Sequence, residues 1–474
     1  MKNYRYTVLF ILMLISFSCG EDFLSPDPVS TASSDGFFQN DQEIEGGIFN
    51  IYDGLQGVND TSSGSNHATQ MEFYVTEMRS DNTRSKSGEG EAAQSDNFAV
   101  QSTNGLVADH YRSFFNVIFR ANTVLANIGN ASEENAALFE GEAKFLRAYV
   151  YFNMVRLYGD LPLVDRVIGI DETEISFTRR PVADIYDLII SDLEFASNNL
   201  NNGSVNRASR AAAQALLAKV YLTQGTNYIG AQLLLEEVMA SGFMLEPNFN
   251  DVFYNEGNSE VIFAIGYTTG ITADSQNFSA EFLNGVGRTV GVNYVTEDAK
   301  QAILDGGGNR IDTSMRTDLI QPTQTQVAKY LPNGADGGDD GKTFDFDARL
   351  AGNDWIVLRY ADVLLMHVES IMAGGQETSV GAALDSYQLV RDRAGLTDVV
   401  TSVTKDELLN ERRVELAFEN HRLYDLIRFG EANQILGAFA ATIGANFSSN
   451  DLLLPIPQGE IGLSNGLLQQ NPGY

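Results

Sequence analysis

The sequence predicts a mainly α-helical protein, in which a long irregular insertion with a few short strands sits on a scaffold of helix pairs. Apolar residues recur at three- and four-residue spacing through residues 106–240, as they do on the buried face of a helix. Residues 181–200, 210–225 and 230–242 predict successive helices, and small alanines in the last two permit close antiparallel packing. With 474 residues, of which 43% are hydrophobic, the chain can bury a large core.

The first helices are predicted from apolar spacing and from end signals. Residues 37–55 form a helix that Asp35 can cap. The Asn-, Ser- and Gly-rich stretch 57–105 predicts a long loop region rather than a core element. Two helices follow after Leu106, and Gly159 ends the second of them.

The later elements alternate between strand-like and helix-like patterns. Residues 260–267 read EVIFAIGY and predict a buried strand. Residues 269–347 are rich in Gly, Asn, Asp and Thr, and predict an irregular insertion in which only residues 295–304 are helical. Residues 355–374 and 380–395 predict another helix pair. The helix pairs loosely resemble tetratricopeptide repeats.

The charge balance restricts the possible partners. The chain has 31 basic and 63 acidic residues and a formal net charge of -32. This acidity argues against a broad basic face for nucleic acid or for an anionic membrane surface. It also disfavours sulfated or uronate-containing chains as ligands, although a local basic pocket could overcome the field.

The N-terminus carries an export signal. Lys2 and Arg5 precede an apolar run at residues 7–17, which is too short to span a bilayer. The only cysteine, Cys19, directly follows a small serine, so no disulfide can form within the chain. This arrangement resembles a bacterial lipoprotein signal in which Cys19 is lipidated. The predicted segments are a signal peptide at 1–18, a lipidated tether at 19–36, an N-terminal helical region at 37–250, and a C-terminal region at 251–474 that packs with the former as one globular unit.

Catalytic motifs fail on order or spacing. Residues 462–466 match the G-x-S-x-G nucleophile elbow, but all four histidines precede the serine, whereas that mechanism needs a histidine after it. No histidine has a partner at zinc-ligand spacing, and the acidic cluster 336–341 misses the EF-hand spacing. We therefore expect no enzymatic activity, no metal and no cofactor. The abundance of acidic residues leaves a surface glycoside hydrolase open as an alternative.

Two regions offer the mixture of aromatic and polar side chains that binds sugar rings. The first region carries Asp81, Asn82, Arg84, His110 and Tyr111. The second lies in the irregular insertion and carries Tyr267, Phe278, Arg288 and Tyr294. We predict the ligand-binding residues among these two sets, with a core role as the alternative for the aromatic members.

The densest mixture of charged and apolar residues lies at 411–430. A helix that carries Glu411, Glu415 and Glu419 can pair them with arginines only if the fold fixes their geometry. A solvated amphipathic helix is the alternative, but apolar residues flank the charges on every side. We predict a buried ionic cluster that fixes how the last helices dock. Its members are Glu411, Arg412, Glu415, Glu419, Arg422, Asp425 and Arg428.

Six segments together resemble one family. They are EAKFLRAYVYFNMVRLYGDLPLV at 142–164, EVIFAI at 260–265, VLRYADVLLMHVE at 357–369, LDSYQLVRDRAGL at 384–396, ERRVELAFENHRLYDLIRFG at 411–430, and LLLPIPQGEI at 452–461 with the terminal NPGY. In number and order they resemble the SusD/RagB family of Bacteroidetes, over nearly the whole chain that follows the predicted signal peptide.

The resemblance implies a SusD-like helical fold with four tetratricopeptide-like helical pairs and no enzymatic activity. It also implies a nutrient-binding lipoprotein anchored by lipid at the outer-membrane surface. Such a protein pairs with a SusC-like TonB-dependent transporter and captures oligosaccharides or, in some members, peptides. In the family the ligand surface is built from the same two regions singled out above.

Overall fold

The structure, a computed structural model, describes residues 34–60, 62, 64–283, 293–332 and 347–474. The predicted signal peptide, Cys19, most of the predicted tether, Arg288 and the acidic cluster 336–341 lie outside these residues.

Twelve longer helices in the described ranges carry the fold. They are α1 (Asp41–Gln56), α2 (Gly105–Asn127), α3 (Ala136–Tyr158), α4 (Val182–Asn199), α5 (Arg210–Gln224), α6 (Tyr228–Met239), α7 (Glu297–Gly306), α8 (Tyr360–Met372), α9 (Gly381–Arg393), α10 (Lys405–Glu415), α11 (Arg422–Arg428) and α12 (Ala432–Ile443). None of the helices in these ranges is long and apolar enough to cross a membrane.

Shorter helical turns connect these elements. The α-helical turns are Ser34–Phe37, Glu72–Val75, Glu91–Asp96, Asp251–Tyr254, Phe278–Glu281, Ile311–Ser314 and Gln458–Leu463. The 3₁₀ turns are Ala68–Met71, Glu77–Arg79, Ile128–Asn130, Ile170–Ser176, Gly308–Arg310, Ala348–Leu350 and Ser449–Leu452.

The strands are short and form antiparallel pairs. They are β1 (Thr83–Ser85), β2 (Leu161–Pro162), β3 (Arg179–Arg180), β4 (Val261–Ile265), β5 (Asn293–Val295), β6 (Met315–Thr317), β7 (Thr325–Val327), β8 (Trp355–Arg359), β9 (Glu377–Thr378) and β10 (Val403–Thr404). The pairs are β1–β5, β2–β3, β4–β8, β6–β7 and β9–β10.

Eight of the helices form four packed pairs, in agreement with the predicted scaffold of helix pairs. The pairs are α1 with α2, α3 with α4, α5 with α6, and α8 with α9. Helix α2 also packs on α3, α4 on α5, and α6 on α8, so the pairs form one continuous stack. One large cluster of buried apolar side chains runs through this stack and the strand pair β4–β8.

Residues 57–105 correct one prediction. This stretch is not a surface loop, because Phe73, Tyr74, Val75 and Met78 lie in the main core. The chain buries them on turns of only three or four residues. A turn of three or four residues is too short to repeat an apolar face. Helical periodicity therefore could not predict these buried turns.

Three element boundaries also differ from the predictions. Asn40, not Asp35, caps the first long helix, since its side chain accepts from the Glu43 backbone N–H at 3.1 Å. Residues 355–359 form strand β8 before helix α8 begins, because Trp355 pairs with Ile265 of β4. The helix predicted at 295–304 begins instead at Glu297, after strand β5.

Candidate functional site

The end of one strand pair positions an open groove. Strands β4 and β8 run antiparallel, with Ile265 opposite Trp355. The chain that leaves β4 therefore lies beside the chain that enters β8. The Tyr267 backbone N–H donates to Asp354 Oδ1 at 3.0 Å, which holds the two loops together.

A glycine permits the close approach of these loops. A Cβ atom added to Gly352 would lie 2.5 Å from the backbone N and from Oγ1 of Thr269, so a larger residue would push the loops apart. The two loops and the end of a short helix enclose a groove of about 500 Å³, here termed the sheet-edge groove. It is lined by Phe253, Tyr254, Asn255, Glu256, Tyr267, Thr268, Thr269, Pro332, Gly352 and Asn353.

A cluster of packed aromatic rings lies behind the lining of the sheet-edge groove. Phe278 and Tyr330 each contact Trp355 with ring centroids 5.2 Å apart. Two groove residues join this cluster: Tyr267 contacts Phe278 at 5.8 Å, and Phe253 contacts Tyr330 at 6.1 Å. Such pairs contribute about 0.5–1.5 kcal/mol each beyond area burial. The shape of the groove is therefore set by a rigid core.

The rim of the groove is polar. Asn255, Thr268 and Thr269 are exposed, and within the described ranges their side chains donate or accept no hydrogen bond from protein. Asn353 is held at the rim because its Nδ2 donates to Leu331 O at 3.1 Å. Free amide and hydroxyl groups beside an aromatic wall match the edge and face of a sugar ring.

Tyr267 is the one groove residue among the predicted ligand-binding residues. The available signal was the run of polar residues on either side of the predicted strand and before Trp355. That signal is weak, because Tyr267 and Asn353 are 86 positions apart in the sequence. The β4–β8 pairing brings them together.

Most side chains of the first predicted ligand region are buried and paired. The Asp81 carboxylate accepts from Arg422 Nε and Nη2 at 2.8 Å each, and it also pairs with Arg413. Burial alone would raise the pKa of Asp81, but Arg413 and Arg422 outweigh burial and lower the pKa to about 2. Asn82 is buried and donates to Glu77 Oε1 at 3.0 Å. These residues extend the ionic cluster and face no ligand surface.

The rest of that region is also engaged in the fold. His110 is fully buried and stacks on Phe114 with centroids 4.2 Å apart, and burial lowers the pKa of its imidazole to about 3. Tyr111 is buried and packs edge-to-face on Tyr158. Arg84 forms an ion pair with Asp96 at 2.8 Å. Burial and pairing thus engage all three side chains in the fold, while His110 Nε2 has no hydrogen-bond partner in the described ranges and Tyr111 lines another cavity.

The second predicted region is divided by the fold. Tyr267 and Phe278 are buried in the aromatic cluster behind the groove lining, so neither is an exposed platform. Tyr294 is half-buried on β5, where it lies opposite Arg84 of β1. Only Tyr267 lines the sheet-edge groove, and it does so as a wall whose hydroxyl donates to Gln56 O at 2.9 Å.

Six of the seven predicted members of the ionic cluster are buried and Arg428 is half-buried, but the glutamates pair with residues outside the predicted set. Helix α10 ends at Glu415, and Phe418 and Asn420 adopt left-handed backbone angles, so Glu419 lies on a turn rather than on the expected helix. The partners of the glutamates come from other elements. The pairs are Glu411 with Arg310 at 2.7 Å, Glu415 with Arg310 and Arg359 at 2.6 Å each, and Glu419 with Lys329 at 2.6 Å and Arg359 at 2.7 Å.

The basic members of the cluster tie α10 and α11 to the helix stack. Arg412 pairs with Asp425 at 2.9 Å and with Asp362 of α8 at 2.8 Å. Arg428 pairs with Asp425 at 2.9 Å and with Glu369 of α8 at 2.8 Å. The charges therefore cross-link the last helices to the scaffold and leave the binding surface to other residues. Across the ranges that the structure describes, no group of three or more His, Cys, Asp or Glu residues could hold a metal ion.

Two family models match the chain. A model described as the SusD family matches residues 340–474, and one described as starch-binding associating with outer membrane matches residues 23–222. SusD-like protein P2 of Formosa agariphila is 30% identical over 422 residues, which cover 78% of this chain and 81% of the relative. Starch-binding protein SusD of Bacteroides thetaiotaomicron is 24% identical over 417 residues, which cover 70% of this chain and 72% of that protein.

Solved structures share the fold. A laminarin binding SusD-like protein superimposes with a TM-score of 0.77 at 25% identity, covering 92% of this chain and 100% of that one. Surface glycan-binding protein A from Bacteroides thetaiotaomicron, in complex with laminarihexaose, gives a TM-score of 0.76 at 21% identity over 91% of this chain and 99% of that one. These proteins are named for binding and not for catalysis. By family model, relative and fold, the chain belongs to the SusD/RagB family.

Proposed function

We propose that this protein captures an oligosaccharide in the sheet-edge groove. The observation that carries the proposal is the groove itself, where three exposed side chains without protein partners lie beside an aromatic wall. Hydroxyl-rich ligands both donate and accept hydrogen bonds, and the amides and hydroxyls of the rim can do the same. The names of the laminarin-binding and starch-binding relatives support a glycan rather than a peptide as ligand.

The proposal extends to the cell surface. Cys19 is the proposed lipidation site after removal of a signal peptide at 1–18, with residues 19–36 as the tether to the globular unit. The family description that mentions association with the outer membrane supports this location. We further propose that the protein delivers its ligand to a SusC-like TonB-dependent transporter. The two regions 37–250 and 251–474 then act as one unit, because the stack of helix pairs uses helices from both.

The experiment is a binding titration of the full chain, purified in detergent, against a panel that includes laminarihexaose, maltohexaose, a xyloglucan oligosaccharide and a mixed peptide digest. We expect at least one glycan to bind. Replacing the exposed Thr268 by tryptophan fills the groove and should weaken that glycan at least tenfold, because the indole occupies the space of a sugar ring. Calorimetry measures both affinities.

The control is Thr401→Trp, a change at an exposed threonine that lines none of the cavities described here. It should leave the affinity unchanged. Binding of peptides alone would replace the glycan in the proposal. Release of shorter sugars during incubation would establish a glycoside hydrolase instead. A glycan that binds equally to wild type and to Thr268→Trp would contradict the assignment of the groove.

A further inference from the structure

A second cavity lies among the helix pairs and shares no lining residue with the sheet-edge groove. Its volume is about 460 Å³, and helices α3, α4, α5, α8 and α11 contribute to its walls. We term it the helix-pair cavity. Its charged side chains are Arg156, Glu369, Lys405 and Arg428. The lining thus carries three cationic side chains and one carboxylate, in a chain whose net charge is -32.

Arg156 is the distinctive group of the helix-pair cavity. Its guanidinium lies between the rings of Phe152 and Tyr424, at 3.8 Å and 3.6 Å from their centroids. Nε donates to Phe152 O at 3.0 Å, and Nη2 donates to the Asn153 side chain. Because both faces are covered by rings, only the edge of the guanidinium can bind a further group.

That edge forms no ion pair within the described ranges, although the charge of Arg156 acts on the buried carboxyl of Glu72. Within the described ranges Arg156 forms no ion pair, whereas the other two cations of the cavity are neutralised by neighbours. Arg428 pairs with Glu369 at 2.8 Å, and Lys405 pairs with Glu431 at 2.5 Å. A planar guanidinium edge is the group that proteins use to bind carboxylates through paired hydrogen bonds.

The remaining walls favour hydroxyl groups. Helices α5, α8 and α11 end at the cavity, and the carbonyl groups of a last helical turn carry partial negative charge. These carbonyls oppose a simple inorganic anion, but they accept hydrogen bonds from hydroxyls. Tyr186, Tyr228 and Phe429 add flat rings to the same walls. The cavity thus combines a site for one carboxylate with acceptors and rings for a hydroxylated body.

We propose that the helix-pair cavity binds a small sugar acid of the uronic acid class. Its carboxylate would lie on the edge of Arg156, and its hydroxyls would donate to Glu369 and to the helix-end carbonyls. This site is separate from the sheet-edge groove and does not depend on oligosaccharide capture there. The edge of Arg156 supplies the local positive charge that an anionic ligand needs in this acidic chain.

The test is calorimetry on the full chain in detergent at low ionic strength, with sodium D-glucuronate, D-glucose and N-acetylglycine as probes. We expect glucuronate to bind at one site per chain. Glucose lacks the carboxylate and N-acetylglycine lacks the hydroxyls, so each should bind at least tenfold more weakly. Absence of glucuronate binding overturns the proposal, as does equal binding of either comparison probe.

Charge variants at the rim locate the site without disturbing the core. Gln376 lines the cavity and is exposed, and within the described ranges its side chain forms no hydrogen bond, while its backbone carbonyl accepts from the Lys405 N–H. Gln376→Glu should weaken glucuronate at least threefold, and Gln376→Lys should strengthen it, with no change in Tm. Equal affinities for the two variants would contradict the assignment.

Two further variants complete the test. Arg156→Gln should abolish glucuronate binding, and the Gln376 pair keeps the result interpretable if that variant unfolds. Thr268→Trp blocks the sheet-edge groove and should leave glucuronate binding unchanged. Loss of glucuronate binding in Thr268→Trp would place the sugar acid in the groove and overturn the proposal. Failure of oligosaccharide binding would leave this result unaffected, so the two proposals fail separately.

Discussion

Glu415→Ala is expected to lower the free energy of unfolding by about 3–5 kcal/mol, because it removes a buried counter-charge that three arginines share. Glu415 is fully buried, and Arg310, Arg359 and Arg393 all pair with it. Burial raises the pKa of Glu415, but the three arginines lower it more strongly. The contribution is therefore present above the unfolded-state pKa and is lost as pH falls. Urea unfolding followed by circular dichroism measures the loss.

The matched control is an ion pair at the surface. Glu172 pairs with Arg166 at 2.7 Å, and both side chains are about half exposed, at 44% and 51%. Water screens this pair, so Glu172→Ala should destabilise the protein much less than Glu415→Ala. If Glu415→Ala cost no more than this control, the ionic cluster would not hold the last helices to the scaffold.

The free energy of unfolding of Glu72→Gln, relative to that of wild type, is expected to be higher at pH 8 than at pH 5. Burial raises the pKa of Glu72 to about 7, although Arg156 and Tyr149 oppose the shift. Since the folded pKa exceeds the unfolded one, the stability that protonated Glu72 provides is complete below the unfolded pKa. It is lost as pH rises through the folded pKa. Wild type should therefore lose about 3 kcal/mol relative to Glu72→Gln between pH 5 and pH 8.

The measurement is the free energy of unfolding of both proteins at the two pH values. Glutamine keeps an acceptor for Asn153, whose Nδ2 donates to Glu72 at 3.2 Å, so the comparison isolates the charge. Glu133→Gln, the same substitution at an exposed glutamate, is the control. A stability difference between wild type and Glu72→Gln that stays constant with pH would show that Glu72 does not titrate in this range.

The helix scaffold could be predicted because its signal is local. Helices such as α2 and α4 repeat apolar residues over several turns, and that spacing is visible in the sequence. Residues 68–79 were missed because their buried side chains sit on single turns. The sequence predicts a helix where strand β8 forms, because the pairing of β8 with β4 depends on a distant segment.

The functional surface was harder to predict because its partners are remote. Asp81 resembles a ligand-binding residue in sequence, yet it is committed to Arg422, which lies 341 positions later. The same holds for Glu415, whose partners include Arg310, 105 positions earlier. In contrast, Thr268 and Asn353 are ordinary polar residues in the sequence, and only the β4–β8 edge turns them into one rim. Burial and pairing, which follow from tertiary packing, decide which polar residues remain free for a ligand.

The most direct test is hydrogen exchange, which shows where bound glycan protects the backbone. The full chain is compared with and without a saturating amount of the oligosaccharide that the panel identifies. We predict slower exchange in residues 253–256, 267–269 and 351–354, which border the sheet-edge groove. Protection confined to residues 81–84 and 110–111, or to any surface away from the β4–β8 edge, would contradict the account.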